Sequence, residues 1–162
     1  SKLDNNHLVT CIWAIKLILS SFDQFISSRI QKDDFNTQKV TEFYKKTPFP
    51  NYRDDDNKQT ILEKGNKNIL AKQFKKFIGY NKNVLEVGCG TGQLSIYFSL
   101  GTNNNVVGLD PTIESLQLAS KFTKDNEISN VIFVNADLFD DVLKDRYFDF
   151  IWCNVVVVEN KF

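Results

Sequence analysis

The sequence predicts an α/β fold built on a parallel sheet, and three observations predict it. From residue 83 onward, short β-branched apolar runs alternate with helical patterns. The runs are continuous rather than alternating apolar and polar, as strands buried on both faces require. The first run ends in three glycines at alternate positions, Gly88, Gly90 and Gly92. Composition agrees: 162 residues with 42% hydrophobic and 25% charged content suit one packed core and exclude disordered, collagenous and disulfide-scaffold classes.

The N-terminal third reads as helical. Leu8, Cys11, Ile12, Ile15, Ile18, Leu19, Phe22, Phe25 and Ile26 recur at steps of three and four, an amphipathic helix that Lys16 and Asp23 make too interrupted to span a membrane. A shorter helix is expected over 37–46, ended by Thr47-Pro48-Phe49-Pro50-Asn51-Tyr52, because neither proline can continue it. Asp54, Asp55 and Asp56 follow with no glycine turn or downstream bidentate Glu, so they read as a solvated linker rather than a cation loop. The next helix is expected over 60–78, with Ile61, Leu62, Ile69, Leu70, Phe74, Phe77 and Ile78 inward, lysines outward and Gly79 ending it. Residues 1–58 are therefore expected to form a helical extension and linker, and 59–162 an α/β domain.

Within that domain, strands are expected over 83–87, 106–109, 131–134 and 148–153, with helices over 92–100 and 112–124. This is βαβαβ with a fourth strand, and the ligands of such sheets bind beyond the carboxyl ends of the strands, where strand order reverses.

Charge and cysteine usage limit the function. Twenty basic groups balance twenty acidic ones, leaving no footprint for nucleic acid or an anionic membrane. Three cysteines, with no Cys-x-x-Cys pair, and one histidine build no metal site; the odd cysteine count predicts a reducing, cytoplasmic compartment. With no methionine and a first residue Ser1, the sequence reads as an excerpt or a processed chain.

The chemistry gathers at the end of the first strand, Val84-Leu85-Glu86-Val87-Gly88-Cys89-Gly90-Thr91-Gly92. The glycines permit a tight positive-φ turn and close backbone approach to a ligand. Dinucleotide loops favour Gly-x-Gly-x-x-Gly and place a pyrophosphate there; this loop is Gly-x-Gly-x-Gly, and the Glu86 carboxylate would repel a pyrophosphate. Asp110 ends the second strand, where an acid can accept from both ribose hydroxyls, and Asp137 ends the third, placed to accept from an adenine amino group with Leu138 or Phe139 against the ring. Three carboxylates on one groove suit a nucleoside bearing a sulfonium and an ammonium.

Over residues 83–154 these motifs resemble the class I S-adenosylmethionine-dependent methyltransferase family. The resemblance implies a Rossmann-like parallel sheet of which the chain holds the first four of seven strands. It also implies S-adenosyl-L-methionine as cofactor. Glu86, Gly88, Gly90 and Gly92 would hold the methionine portion, with Cys89 as a small filler between them. Asp110, with Pro111 beside it, would take the ribose; Asp137 and Leu138 the adenine; Asn154 completes the expected pocket.

The residues specify no catalytic side chain, and in-line methyl transfer needs none beyond alignment. The Asn-Pro-Pro-aromatic motif of adenine and glutamine N-methyltransferases is absent at Asn154, and Trp152 rather than proline precedes Cys153, unlike cytosine C5-methyltransferases. A small-molecule or protein acceptor is expected rather than a large nucleic acid. Two other classes share these features. A nicotinamide-dependent oxidoreductase has the same fold and an acid at the Asp110 position, and a non-catalytic or truncated binding module has every cofactor motif.

Overall fold

The computed structural model describes residues 42–136, 143 and 146–153, all within the compact unit that begins at Val40. The expected N-terminal helix, Asp137, Leu138 and Asn154 lie outside the described residues. After a helical turn at 42–46 come α1 (Lys58–Lys67), α2 (Ile69–Ile78), β1 (Asn83–Val87), α3 (Gln93–Ser99), β2 (Asn105–Asp110), α4 (Ile113–Asp125), β3 (Val131–Asn135) and β4 (Phe150–Cys153). The strands form one parallel sheet in the order β3-β2-β1-β4, so chain direction across the sheet reverses beside β1. This is the expected α/β, Rossmann-like arrangement.

Where the sequence predicts one helix over 60–78, there are two. Asn57 opens α1 with a capping box, its side chain accepting from Gln59 and Thr60 amides while the Thr60 hydroxyl accepts from the Asn57 amide. Asn68, extended at φ −80° and ψ 106°, then stops α1 and accepts from the Ala71 amide to start α2. Gly79, at φ 71°, ends α2 as expected. The break resets the helical phase. Ala71, Phe74 and Ile78 turn inward, whereas Ile69, Leu70 and Phe77, expected inside, are exposed. Asp56 also departs from the solvated-linker reading, because its buried side chain pairs with Lys64 at 2.7 Å. Burial alone would raise that carboxyl, but the Lys64 ammonium and hydrogen bonds from Arg53 and Thr60 hold it below its ordinary value.

Strand periodicity sorts the sheet into two faces. Val84, Val106 and Val131 join a cluster with Ile61 of α1, Phe74 of α2, Ile96 and Phe98 of α3 and Phe122 of α4. All four described helices thus contribute to one face. Leu85, Val87, Val107 and Leu109 point the other way into a smaller cluster with Ala136, and they too are buried. Trp152, on β4, joins the helical face, its ring 4.7 Å from Phe74 and 5.6 Å from Phe98.

Two polar side chains close the end of the sheet away from the glycines. Asn104, fully buried, accepts from the Lys82 amide and donates to the Gly79 carbonyl at 3.0 Å, tying the entry to β1 to the entry to β2. The ammonium of Lys75, expected outward, instead turns in and donates to the Tyr97 and Leu100 carbonyls, capping the C-terminal end of α3.

Candidate cofactor site

The glycine loop leaves β1 at its carboxyl end, and β2 anchors it. The amides of Gly88 and Cys89 both donate to the Leu109 carbonyl, at 2.8 and 3.1 Å, and the Gly90 amide donates to Asp110 Oδ2 at 2.8 Å. Asp110 Oδ1 accepts from the Thr112 amide at 2.8 Å, fixing the carboxylate between the loop and the turn into α4. Gly88, Gly90 and Gly92 have φ of 70°, 53° and 74°, the left-handed region where a side chain strains the backbone.

What surrounds these glycines changes one expectation. A Cβ on Gly90 would lie 2.4 Å from the Phe49 carbonyl oxygen, and one on Gly92 would lie 2.4 Å from the Phe133 ring. At those two positions the close neighbour is the protein itself. Gly108 in β2 fits the same pattern, hemmed in by Phe133, Cys89 Sγ and Ser95 Oγ.

Glu86 and Asp110 come together as the sequence predicts. Both lie on the helical face of adjacent strands, near their carboxyl ends, and both are buried. Ser95, on α3, donates its hydroxyl to Glu86 Oε2. Burial pushes the Glu86 carboxyl up to about 8; the Ser95 hydrogen bonds pull the other way, and the Asp110 charge adds to the rise. Among the described residues neither carboxylate belongs to an ion pair. Cys89 fills the space beside them, its thiol pushed up by burial and then by Glu86 and Asp110, the opposite of what an activated nucleophile needs. Pro111 is exposed at the rim.

Thr91 does not cap α3 with its side chain. It is fully buried, and its hydroxyl donates to the Pro50 carbonyl. Tyr52 donates to the Thr91 carbonyl at 2.7 Å and stacks on Phe122 with ring centres 4.4 Å apart. Sequence reasoning missed Ser95, Gly108 and this use of Thr91. Ser95 carried a weak signal, since it lies three residues into the helix after the glycines, one turn above the loop.

With this loop and acid arrangement in place, the comparisons decide the family: the methyltransferase-domain profile matches residues 78–161, about half of the chain. The chain belongs to the methyltransferase-domain family. It is 29% identical over 83 residues to an uncharacterized RNA methyltransferase of Mycoplasma mobile, covering 51% of this chain and 23% of that protein. It is 39% identical over 62 residues to a protein named as an N5-glutamine methyltransferase of Methanocaldococcus jannaschii, covering 38% of this chain and 31% of that one. The chain thus spans about a quarter to a third of the length of these curated relatives. A crystal structure named as an S-adenosyl-L-methionine-dependent methyltransferase of Methanococcus maripaludis superposes with a TM-score of 0.52 at 18% identity, over 70% of this chain and 57% of that one, a likeness of fold.

S-adenosyl-L-methionine is the cofactor of this methyltransferase domain's family, and the residues present fit it. Two buried carboxylates at the carboxyl end of the sheet, with no ion-pair partner among the described residues, match a ligand that brings its own positive charge. No helix among the described residues is long and apolar enough to cross a membrane.

Proposed function

We propose that this chain is the cofactor-binding part of an enzyme that transfers the methyl group of S-adenosyl-L-methionine to a small molecule or a protein side chain. The observation that carries the reading is the Glu86 and Asp110 pair, buried on neighbouring strands with no ion-pair partner among the described residues. When bound, the cofactor supplies an electrophilic methyl carbon on a sulfonium. The chain's own part is to bind and orient. The loop Gly88–Gly92 and Glu86 take the amino-acid portion, Asp110 and Pro111 the ribose, and Asp137, Leu138 and Asn154 complete the adenine and acceptor sides. Each Asp110 oxygen already accepts one backbone amide and keeps a second lone pair for a ribose hydroxyl. Holding a nucleophile in line with a methyl carbon supplies up to roughly 7–11 kcal/mol of the barrier reduction, which needs no dedicated acid or base.

Balanced charge supports the acceptor class, and the relative named as an RNA methyltransferase supports a second reading with RNA as acceptor. The test is calorimetric titration of wild type and Asp110→Ala with S-adenosylmethionine, S-adenosylhomocysteine and NADH. The first two bind wild type and bind the variant much more weakly. Tight NADH binding with no response to S-adenosylhomocysteine overturns the assignment. Label transfer from methyl-tritiated cofactor into protein, RNA or small-molecule fractions then separates the acceptor classes.

A further inference from the structure

The segment Phe49-Pro50-Asn51-Tyr52 carries no role in the reading above, yet it lies across the turn that the cofactor reading depends on. Five contacts join them. The Phe49 carbonyl oxygen occupies the space a Gly90 side chain would fill. The Pro50 carbonyl accepts from the Thr91 hydroxyl and, at 3.4 Å, from Gln93 Nε2, which also donates to the Asn51 carbonyl at 3.2 Å. The Tyr52 hydroxyl donates to the Thr91 carbonyl at 2.7 Å. Thr91 thus gives its hydroxyl and its carbonyl to this segment from a fully buried position. The far end is anchored independently, because the Tyr52 ring stacks on Phe122 of α4, 13° from parallel. Burial, together with the nearby Asp56, Cys89 and Glu86, raises the Tyr52 phenol above its ordinary value, so the hydroxyl stays a donor.

From these contacts we propose that residues 49–52 are a positioning strap: Tyr52 and Thr91 hold the Gly90–Gly92 turn in the conformation that receives the cofactor, and so set cofactor affinity by acting through the loop. The inference rests on the cofactor reading of that loop. Its physical basis is preorganisation. The Gly88–Gly92 loop, with three positive-φ glycines, has large freedom to lose, and a loop already fixed by side-chain anchors loses less on binding.

The test uses the whole chain, as wild type, Tyr52→Phe, Thr91→Val and Thr91→Ser, with three readouts. These are hydrogen exchange of the amides over 86–95 without ligand, the Kd for S-adenosylhomocysteine by calorimetry, and the urea midpoint of global unfolding. Tyr52→Phe keeps the stack on Phe122 and removes one hydrogen bond. Tyr52→Phe and Thr91→Val are expected to speed loop exchange and to weaken binding by about tenfold each, the effect of one buried hydrogen bond. Thr91→Ser, which keeps the hydroxyl, restores both to within about twofold of wild type. A merely structural role would lower the urea midpoint and leave the Kd of the folded protein unchanged, and that result overturns the proposal. So does loop exchange that matches wild type in Tyr52→Phe and Thr91→Val, whatever binding does. If wild type binds no S-adenosylhomocysteine while the two variants still speed loop exchange, the strap's hold on the loop is upheld and the cofactor reading fails.

Discussion

The Asp110 carboxylate accepts the Gly90 amide at 2.8 Å, so the acid that ends β2 holds the turn that follows β1. The residue expected to meet the ribose is thereby also part of the scaffold that shapes the glycine loop. Asp110→Ala removes acceptors for two backbone amides, each charged hydrogen bond contributing about 1.5–3 kcal/mol, whereas Asp110→Asn keeps an acceptor for one of them. Both variants are expected to weaken S-adenosylhomocysteine binding, but Asp110→Ala should lose markedly more thermal stability. Calorimetry paired with a melting curve checks this, and undiminished binding in Asp110→Ala would count against the site.

Glu86 gives a pH signature. Its folded carboxyl is pushed up to about 8 from an ordinary value of 4.5, so between those limits the native state holds a proton that the unfolded chain has released. The stability it contributes is full below pH 4.5 and is lost as pH rises through 8. Melting temperature should therefore fall across that window in wild type and fall less in Glu86→Gln. Binding of a cationic ligand favours the ionised form, so affinity for S-adenosylmethionine should climb as pH approaches 8 in wild type and stay flat in the variant. Parallel pH series of melting and titration measure both.

Two glycine substitutions should separate packing from backbone strain. A Cβ on Gly65 would lie 2.2 Å from Cδ2 of Tyr97, while one on Gly101, at φ 68°, would meet nothing within 4 Å. Gly65→Ala is expected to cost about 1–3 kcal/mol by overpacking α1 against α3. Gly101→Ala should cost only about 1 kcal/mol, from its left-handed backbone. Urea unfolding of the two variants gives the comparison, and equal losses would contradict the packing account.

Asn104 supplies a control away from the cofactor loop. Asn104→Ala leaves the Lys82 amide and the Gly79 carbonyl without this partner at a fully buried position, a loss of about 1–3 kcal/mol. Unfolding should show that loss while the Kd for S-adenosylhomocysteine holds within about twofold, since the residue lies at the opposite end of the sheet.

Much of this was legible in the residues. The strands β1, β2 and β3 were readable because Val84–Val87, Val106–Leu109 and Val131–Val134 are short apolar runs bounded by polar punctuation. Glu86 and Asp110 could be placed at one rim because topology alone brings the ends of adjacent parallel strands together. The break at Asn68 was hidden, since the apolar steps on either side of it continue one another and only the cap hydrogen bond distinguishes two helices from one. The glycine neighbours were hidden for a different reason. Phe49 and Phe133 reach Gly90 and Gly92 from far along the chain, so local pattern carries no trace of why those two positions lack a side chain.

The hydrogen bonds from Thr91 to Pro50 and from Tyr52 to Thr91 close loops of 41 and 39 residues. Those spans exceed the 22 residues that separate partners in β1 and β2 and fall short of the 66 that separate partners in β1 and β4. Pairing β1 with β2 draws on nothing upstream of the sheet, whereas the glycine loop is held by a few residues that must arrive from there. A chain started at residue 58 would be expected to keep the strands and lose that hold on the loop.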